Sequence, residues 1–175
     1  MLGTLVNTAA IALGALVGLL LKKGIPEKIS DVVMKGIALC VLYIGLSGCL
    51  SGTNTLITII SIVIGAVVGS LIDLDRRLND LGALAERRFA KNSDGKTSVA
   101  EGFVSASLLF CVGSMAIVGS IQSGLTGNHE MLFTKSLLDG ISAMIFASTL
   151  GAGVILSAAA VLIYQGAITL CAQRV

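Results

Sequence analysis

Along most of this chain, polar and apolar positions fall into long blocks. Asp, Glu, Lys and Arg are absent from residues 1–21, 36–72, 102–129 and 140–173, about 120 residues in all. A helix needs about 20 apolar residues to cross hydrocarbon, so these blocks predict about six crossings. Their expected bounds are 2–21, 30–50, 55–72, 102–121, 132–150 and 154–172. Lys22-Lys23-Gly24 closes the first, and Pro26 suits the opening of the second, where its missing N–H is not needed. Ser51-Gly52-Thr53-Asn54 separates the second from the third. Only Gly151-Ala152-Gly153 separates the fifth from the sixth, which leaves a simple turn and a re-entrant break both open there.

Composition sharpens this picture. Apolar residues make up 55% of the 175, charged residues only 13%, and mean hydropathy is +0.96. Soluble domains carry about a quarter charged residues. The lipid bilayer is therefore the expected surroundings, and a soluble enzyme, a nucleic-acid binder and a disulfide-stapled secreted domain are excluded. Residues 1–21 do not read as a secretory leader, because the basic pair Lys22-Lys23 follows the apolar core instead of preceding it.

The net charge of +2 matters less than its distribution. Residues 73–101 hold six of the twelve basic residues. Within them Leu78, Leu81, Leu84 and Phe89 recur at helical spacing against Arg87, Arg88 and Lys91. That composition predicts an amphipathic helix on the membrane surface, or alternatively a docking helix for a partner. Ten of the twelve basic residues fall on one side if both termini lie outside, which places the 76–98 linker in the cytoplasm.

The two halves of the chain match weakly but in register. Met34-Lys35-Gly36-Ile37 aligns with Leu138-Asp139-Gly140-Ile141 and Ser61 with Gln165 at an offset of 104. Further upstream Gly14 pairs with Gly113 at an offset of 99, which requires a longer loop in the second half. Three spans per half make the second copy cross in the opposite sense, as in inverted-repeat folds. The expected organisation is a first three-helix repeat at 1–75, a linker at 76–98 and a second repeat at 99–175. It forms one all-α integral membrane domain.

Charge placement yields the candidate site. Asp31 and Lys35 stand four apart in the second span, and Lys135 and Asp139 four apart in the fifth, with signs exchanged. Residues at i and i+4 share a helix face. Under an inverted repeat the two pairs guard opposite mouths. A charge in hydrocarbon costs at least ~2.5 kcal/mol unless it faces protein or water, so these residues are pathway candidates. The alternative for the lysines is snorkelling to the interface. Asp139, with its short reach, is the sharpest candidate, helped by Lys135 and by the backbone access that Gly140 offers a solute. Asn7, Gln165 and Ser105 are uncharged polar residues within spans, as are Ser61, Ser107 and Ser142. Asn7 and Gln165 could together hydrogen-bond a solute. The plainer reading of each is an interhelical hydrogen bond.

Gly14-Ala15-Leu16-Val17-Gly18 and Gly65-Ala66-Val67-Val68-Gly69 are near-identical small-xxx-small segments, expected to pack helices closely through Gly14, Gly18, Gly65 and Gly69. Cys40, Cys49, Cys111 and Cys171 lack metal or redox spacing and read as apolar packing residues. His129 is the only histidine and reads as a solvated loop residue. No metal, cofactor or catalytic set is expected.

The stretches Met1-Leu2-Gly3-Thr4-Leu5-Val6-Asn7, Gly14 to Gly24 with Pro26, Ser136-Leu137-Leu138-Asp139-Gly140-Ile141 and Leu162-Ile163-Tyr164-Gln165-Gly166 carry a resemblance. Over essentially its whole length the chain resembles the YdfK/YqgA-like bacterial inner-membrane proteins of unknown function. The resemblance implies a multi-pass protein of the bacterial inner membrane and brings no binding residues. Two functions follow as expectations: a small transporter or channel for an ion or small polar metabolite, or a membrane scaffold acting through its basic cytoplasmic helix. A homo-oligomer, most simply a dimer, would bury the glycine-rich faces.

Overall fold

The computed structural model describes residues 1–21, 25–50, 52, 54–73, 80 and 99–174. All regular structure among them is helical: α1 (Leu2–Leu20), α2 (Glu27–Leu50), α3 (Thr55–Ile72), α4 (Val99–Val112), α5 (Ser114–Leu125), α6 (Glu130–Leu150) and α7 (Gly153–Gln173). The spans expected from the charge-free blocks agree with α1, α2, α3, α6 and α7 to within three residues. Asp80 apart, the expected amphipathic 76–98 linker lies outside the described residues. The chain groups into two compact units, Met1–Pro26 with Ala85–Val175, and Glu27–Leu84.

The smaller unit contains α2 and α3. Pro26 immediately precedes α2, and Asp73 ends α3 in a left-handed conformation (φ 50°, ψ 54°) that Asp tolerates better than most residues. α2 is apolar beyond Lys35 and α3 throughout, and neither buries a residue. A Cβ at Gly65 or Gly69 would meet nothing within 4 Å. The twin segment in α1, by contrast, has backbone of another helix against its glycines.

In the larger unit α1 is the hub. Its buried residues include Thr4, Asn7, Ile11, Gly14 and Gly18, a stripe with three–four spacing that matches the seam of a packed helix pair. Leu132, Lys135, Asp139, Ser142 and Ala147 form a corresponding stripe on α6, and Val154, Ala158, Val161, Gln165 and Thr169 one on α7. Ile11, Ala15, Phe110, Ala143, Ala147, Val154 and Val161 join in the apolar core. Exposed leucines, isoleucines and valines cover the outer faces, as lipid-facing helices require.

Contacts fix the helix directions. Gly3 faces Leu132, Gly14 faces Gly140 and Gly18 faces Met144, so α1 and α6 run parallel. Thr4 meets Thr169 and Asn7 meets Gln165, so α1 and α7 run antiparallel. The parallel seam is backbone to backbone: a Cβ at Gly14 would strike the Gly140 carbonyl, and one at Gly18 the Met144 carbonyl. Gly14→Val is accordingly expected to cost about 1–3 kcal/mol by overpacking, read as a lower melting temperature in detergent. Gly65→Val, with open space at its Cβ, is expected to leave it unchanged.

The fourth span departs from expectation. A single helix at 102–121 was anticipated, whereas α4 and α5 meet at Gly113 with a 57° bend. Gly113 is extended (φ −67°, ψ 143°) and caps α5. Gly153 lies against Val99 and Phe103, while Gly124 lies against Thr169 and Ala172. The bent pair therefore follows α7 from one end to the other, as one broken crossing would. The junction of α6 and α7 is a tight turn, settled by Gly151 at φ 82°, ψ −156°, a conformation essentially restricted to glycine.

Candidate functional site

Lys135 and Asp139 sit one turn apart on α6, with Lys135 Nζ 2.6 Å from Asp139 Oδ2. Their side chains are only 6% and 10% exposed. Asp139 is nine residues past Glu130, about 13 Å along the helix axis. The same carboxylate oxygen accepts a second hydrogen bond, from Asn7 Nδ2 of α1 at 3.2 Å. Asn7 Nδ2 also donates to Gln165 Oε1 of α7 at 3.2 Å. The carboxylate settles the orientation of the Asn7 amide, because the reverse face would set oxygen against oxygen. One helical turn away, the hydroxyls of Thr4 and Thr169 lie 3.3 Å apart. Three helices thus converge on one charged and amide cluster.

Two amide atoms in this cluster have no hydrogen-bond partner, the acceptor Asn7 Oδ1 and the donor Gln165 Nε2, and both residues are fully buried. Unmet polar atoms of this kind cost about 1–3 kcal/mol each. They are uncommon in native structures and mark places where something else completes the bonding. Ser107 Oγ and Ser120 Oγ are likewise unpartnered. Ser120 is fully buried beside Gly119, which packs on Leu132, the same residue that Gly3 touches.

The sequence candidates divide. Asp139, Lys135, Asn7 and Gln165 come together. Asp31 and Lys35 form an ion pair at 2.7 Å on α2, in the other unit, with side chains 58% and 74% exposed. Within its own unit, the partner of Lys35 is Asp31, one turn away on α2. Ser105 and Ser61 are exposed, whereas Ser142 is buried. Ser105 stands on the outer face of α4, since the core-facing positions there are Val104, Ala106 and Phe110. Gly140 offers no free backbone towards the cluster, because α1 packs on it through Ala10 and Gly14. A groove of about 460 Å³ flanks that seam, lined by Val6, Leu13, Phe133, Leu137 and Met144 among others, and it is apolar.

His129 is more than a solvated loop residue. It is half-buried, lies 2.8 Å through Nδ1 from Ser123 Oγ, and stands edge-on to Phe133. Of the cysteines, only Cys111 packs on the core; the other three are exposed, Cys40 and Cys49 on α2 and Cys171 on α7. Thr4 and Thr169 are the cluster residues that sequence reasoning missed. Their signal was available: Thr4 is three residues before Asn7, and Thr169 four after Gln165, so each shares its neighbour's helix face.

Five described helices are long and apolar enough to span a bilayer, and the bent pair makes a sixth. With a charged cluster enclosed by these helices, the chain is an all-helical membrane protein. It belongs to the DUF554 family, described as a protein of unknown function, whose model matches residues 2–175. It is similar to the uncharacterized membrane protein YdfK of Bacillus subtilis (strain 168), with 33% identity over 177 residues, covering 99% of this chain and 73% of that protein. The uncharacterized protein YqgA of Escherichia coli (strain K12) is 30% identical over 166 residues, covering 94% of this chain and 71% of its own length. No solved structure matches the chain.

Proposed function

We propose that this protein moves an ion or small polar solute across the membrane, and that Asp139, Lys135, Asn7 and Gln165 form its solute site. The supporting observation is the buried ion pair joined to two unsatisfied amide atoms across three helices. Such a pair is a poor source of stability, because desolvation offsets most of its attraction. Ionisable groups within spanning helices are costly and characteristically serve pathways. The broken crossing at Gly113 supports the same reading, since interrupted helices are where transporters expose backbone groups to solutes.

The inverted repeat is part of this proposal. It is supported by three crossings in each half and by ion pairs of opposite order at i,i+4 on α2 and α6. The halves differ locally: α1 continues unbroken through Gly14, whereas the chain breaks at the matched Gly113. Inner-membrane location, both termini outside and a homodimer belong to the same reading.

Flux into proteoliposomes tests it, using Na⁺, K⁺, H⁺ and a panel of small neutral and zwitterionic solutes. Wild-type protein is expected to move at least one of these, and Asp139→Asn to reduce that flux at least tenfold while still inserting. Exchanging Lys135 and Asp139 preserves the pair but relocates the carboxylate, and is expected to abolish flux. Equal flux in wild type and both variants would remove this site. Absence of movement across the panel would favour a scaffold.

A further inference from the structure

We propose that Asp139 is a monovalent-cation site whose resident occupant is the Lys135 ammonium, so that a free Na⁺ or K⁺ binds by displacing that lysine. The proposal rests on the reading of this cluster as a solute site and names its class of ligand. Asp139 is held from a second side by Asn7 Nδ2, so its carboxylate stays in place when the lysine leaves. Lys135 is one turn closer to the start of α6, five residues from Glu130. Its flexible four-carbon stem can carry the ammonium towards that end, as lysines near helix ends do.

The vacated position has one oxygen of the protein on it, Asp139 Oδ2, and further hard oxygen donors adjoin that carboxylate through Asn7. The Asp139 carboxylate and Gln165 Oε1 both touch Asn7 Nδ2, and Asn7 Oδ1, on the same planar amide, has no partner of its own. The Thr4 and Thr169 hydroxyls lie one turn away. Carboxylate, carbonyl and hydroxyl oxygens suit alkali and other hard cations. Asp139 is the only buried carboxylate among the described residues, so one negative charge is available to be matched. A single charge fits it; a divalent ion would leave an unbalanced positive charge in a low-dielectric interior. Gln165 Nε2, the unpartnered donor, can bond a water carried by the ion.

Thermal unfolding of the purified full chain in detergent tests this in NaCl, KCl and N-methylglucamine chloride at equal ionic strength. Lys135→Met removes the resident cation. Its melting temperature is expected to rise by a few degrees in Na⁺ or K⁺ over N-methylglucamine, following ligand stabilisation of the folded state. Wild type is expected to respond less, because its own lysine competes, and Lys135→Met/Asp139→Asn not at all. Lys135→Gln is measured alongside as a milder replacement. Equal melting of both single variants in all three salts, or a cation response that survives Asp139→Asn, would overturn the proposal. So would failure to recover either variant folded in any of the salts, since the carboxylate would then not accept a free cation in place of the ammonium. Cation-dependent melting without flux in vesicles leaves the site standing and removes transport. Flux of a neutral solute without any cation response does the reverse.

Discussion

Replacing Asp139 by Leu while keeping Lys135 is expected to cost about 3–5 kcal/mol, because it strands an ammonium in the protein interior. Lys135 is 5% exposed, and Asp139 Oδ2 is its hydrogen-bond acceptor. Converting both residues, as Lys135→Met/Asp139→Leu, removes the stranded charge together with its partner. The double variant is expected to regain most of the loss, since replacing a buried ion pair by apolar residues of similar size is often neutral. Detergent-solubilised yield and melting temperature read both outcomes. Equal stability in the single and double variants would show that Lys135 reaches water, contrary to its burial.

Asn7→Leu is expected to produce the second large effect, confined to one interface. Asn7 connects α6 and α7 by donating to Asp139 and Gln165 together. Leucine leaves the fully buried Gln165 amide without its Asn7 donor, at about 1–3 kcal/mol for each unsatisfied atom. The α1–α6 seam should survive, because Gly14 and Gly18 hold it through backbone contact. Cysteines at Thr4 and Thr169, whose hydroxyls are 3.3 Å apart, report the α1–α7 contact. Their oxidative cross-linking is expected to fall several-fold in Asn7→Leu. Unchanged cross-linking would mean that the amide bridge does not hold α7 to α1.

Helix bounds were legible in the sequence because hydrocarbon tolerates few charges, and the blocks end where charges and turn residues begin. Lys135 and Asp139 stood out for the same reason. Thr4 and Thr169 did not, since a threonine in a span can bond its own helix; Thr8, which donates to the Thr4 carbonyl, does so. Glycine was the least readable residue. Gly113 breaks a crossing, Gly151 makes a turn, Gly14 seats a neighbouring helix and Gly65 touches nothing, yet each lies in a similar apolar, small-residue context. What separates them is the partner that arrives from elsewhere in the chain. A lone carboxylate announces its cost locally; a missing side chain takes its meaning from its neighbour.

The parallel seam of α1 and α6 has a consequence for how the protein is made. Asn7 and Asp139 are separated by 132 residues. At about 5–20 residues per second, ribosomes need roughly 7–26 s to deliver the second after the first. Throughout that interval α1 has neither Gly140 to receive its glycines nor a carboxylate for its asparagine. A nascent chain arrested before residue 130 should therefore hold α1 unassembled, open to helper proteins and quality-control proteases. Release of α6 and α7 should then close this unit in a single late step.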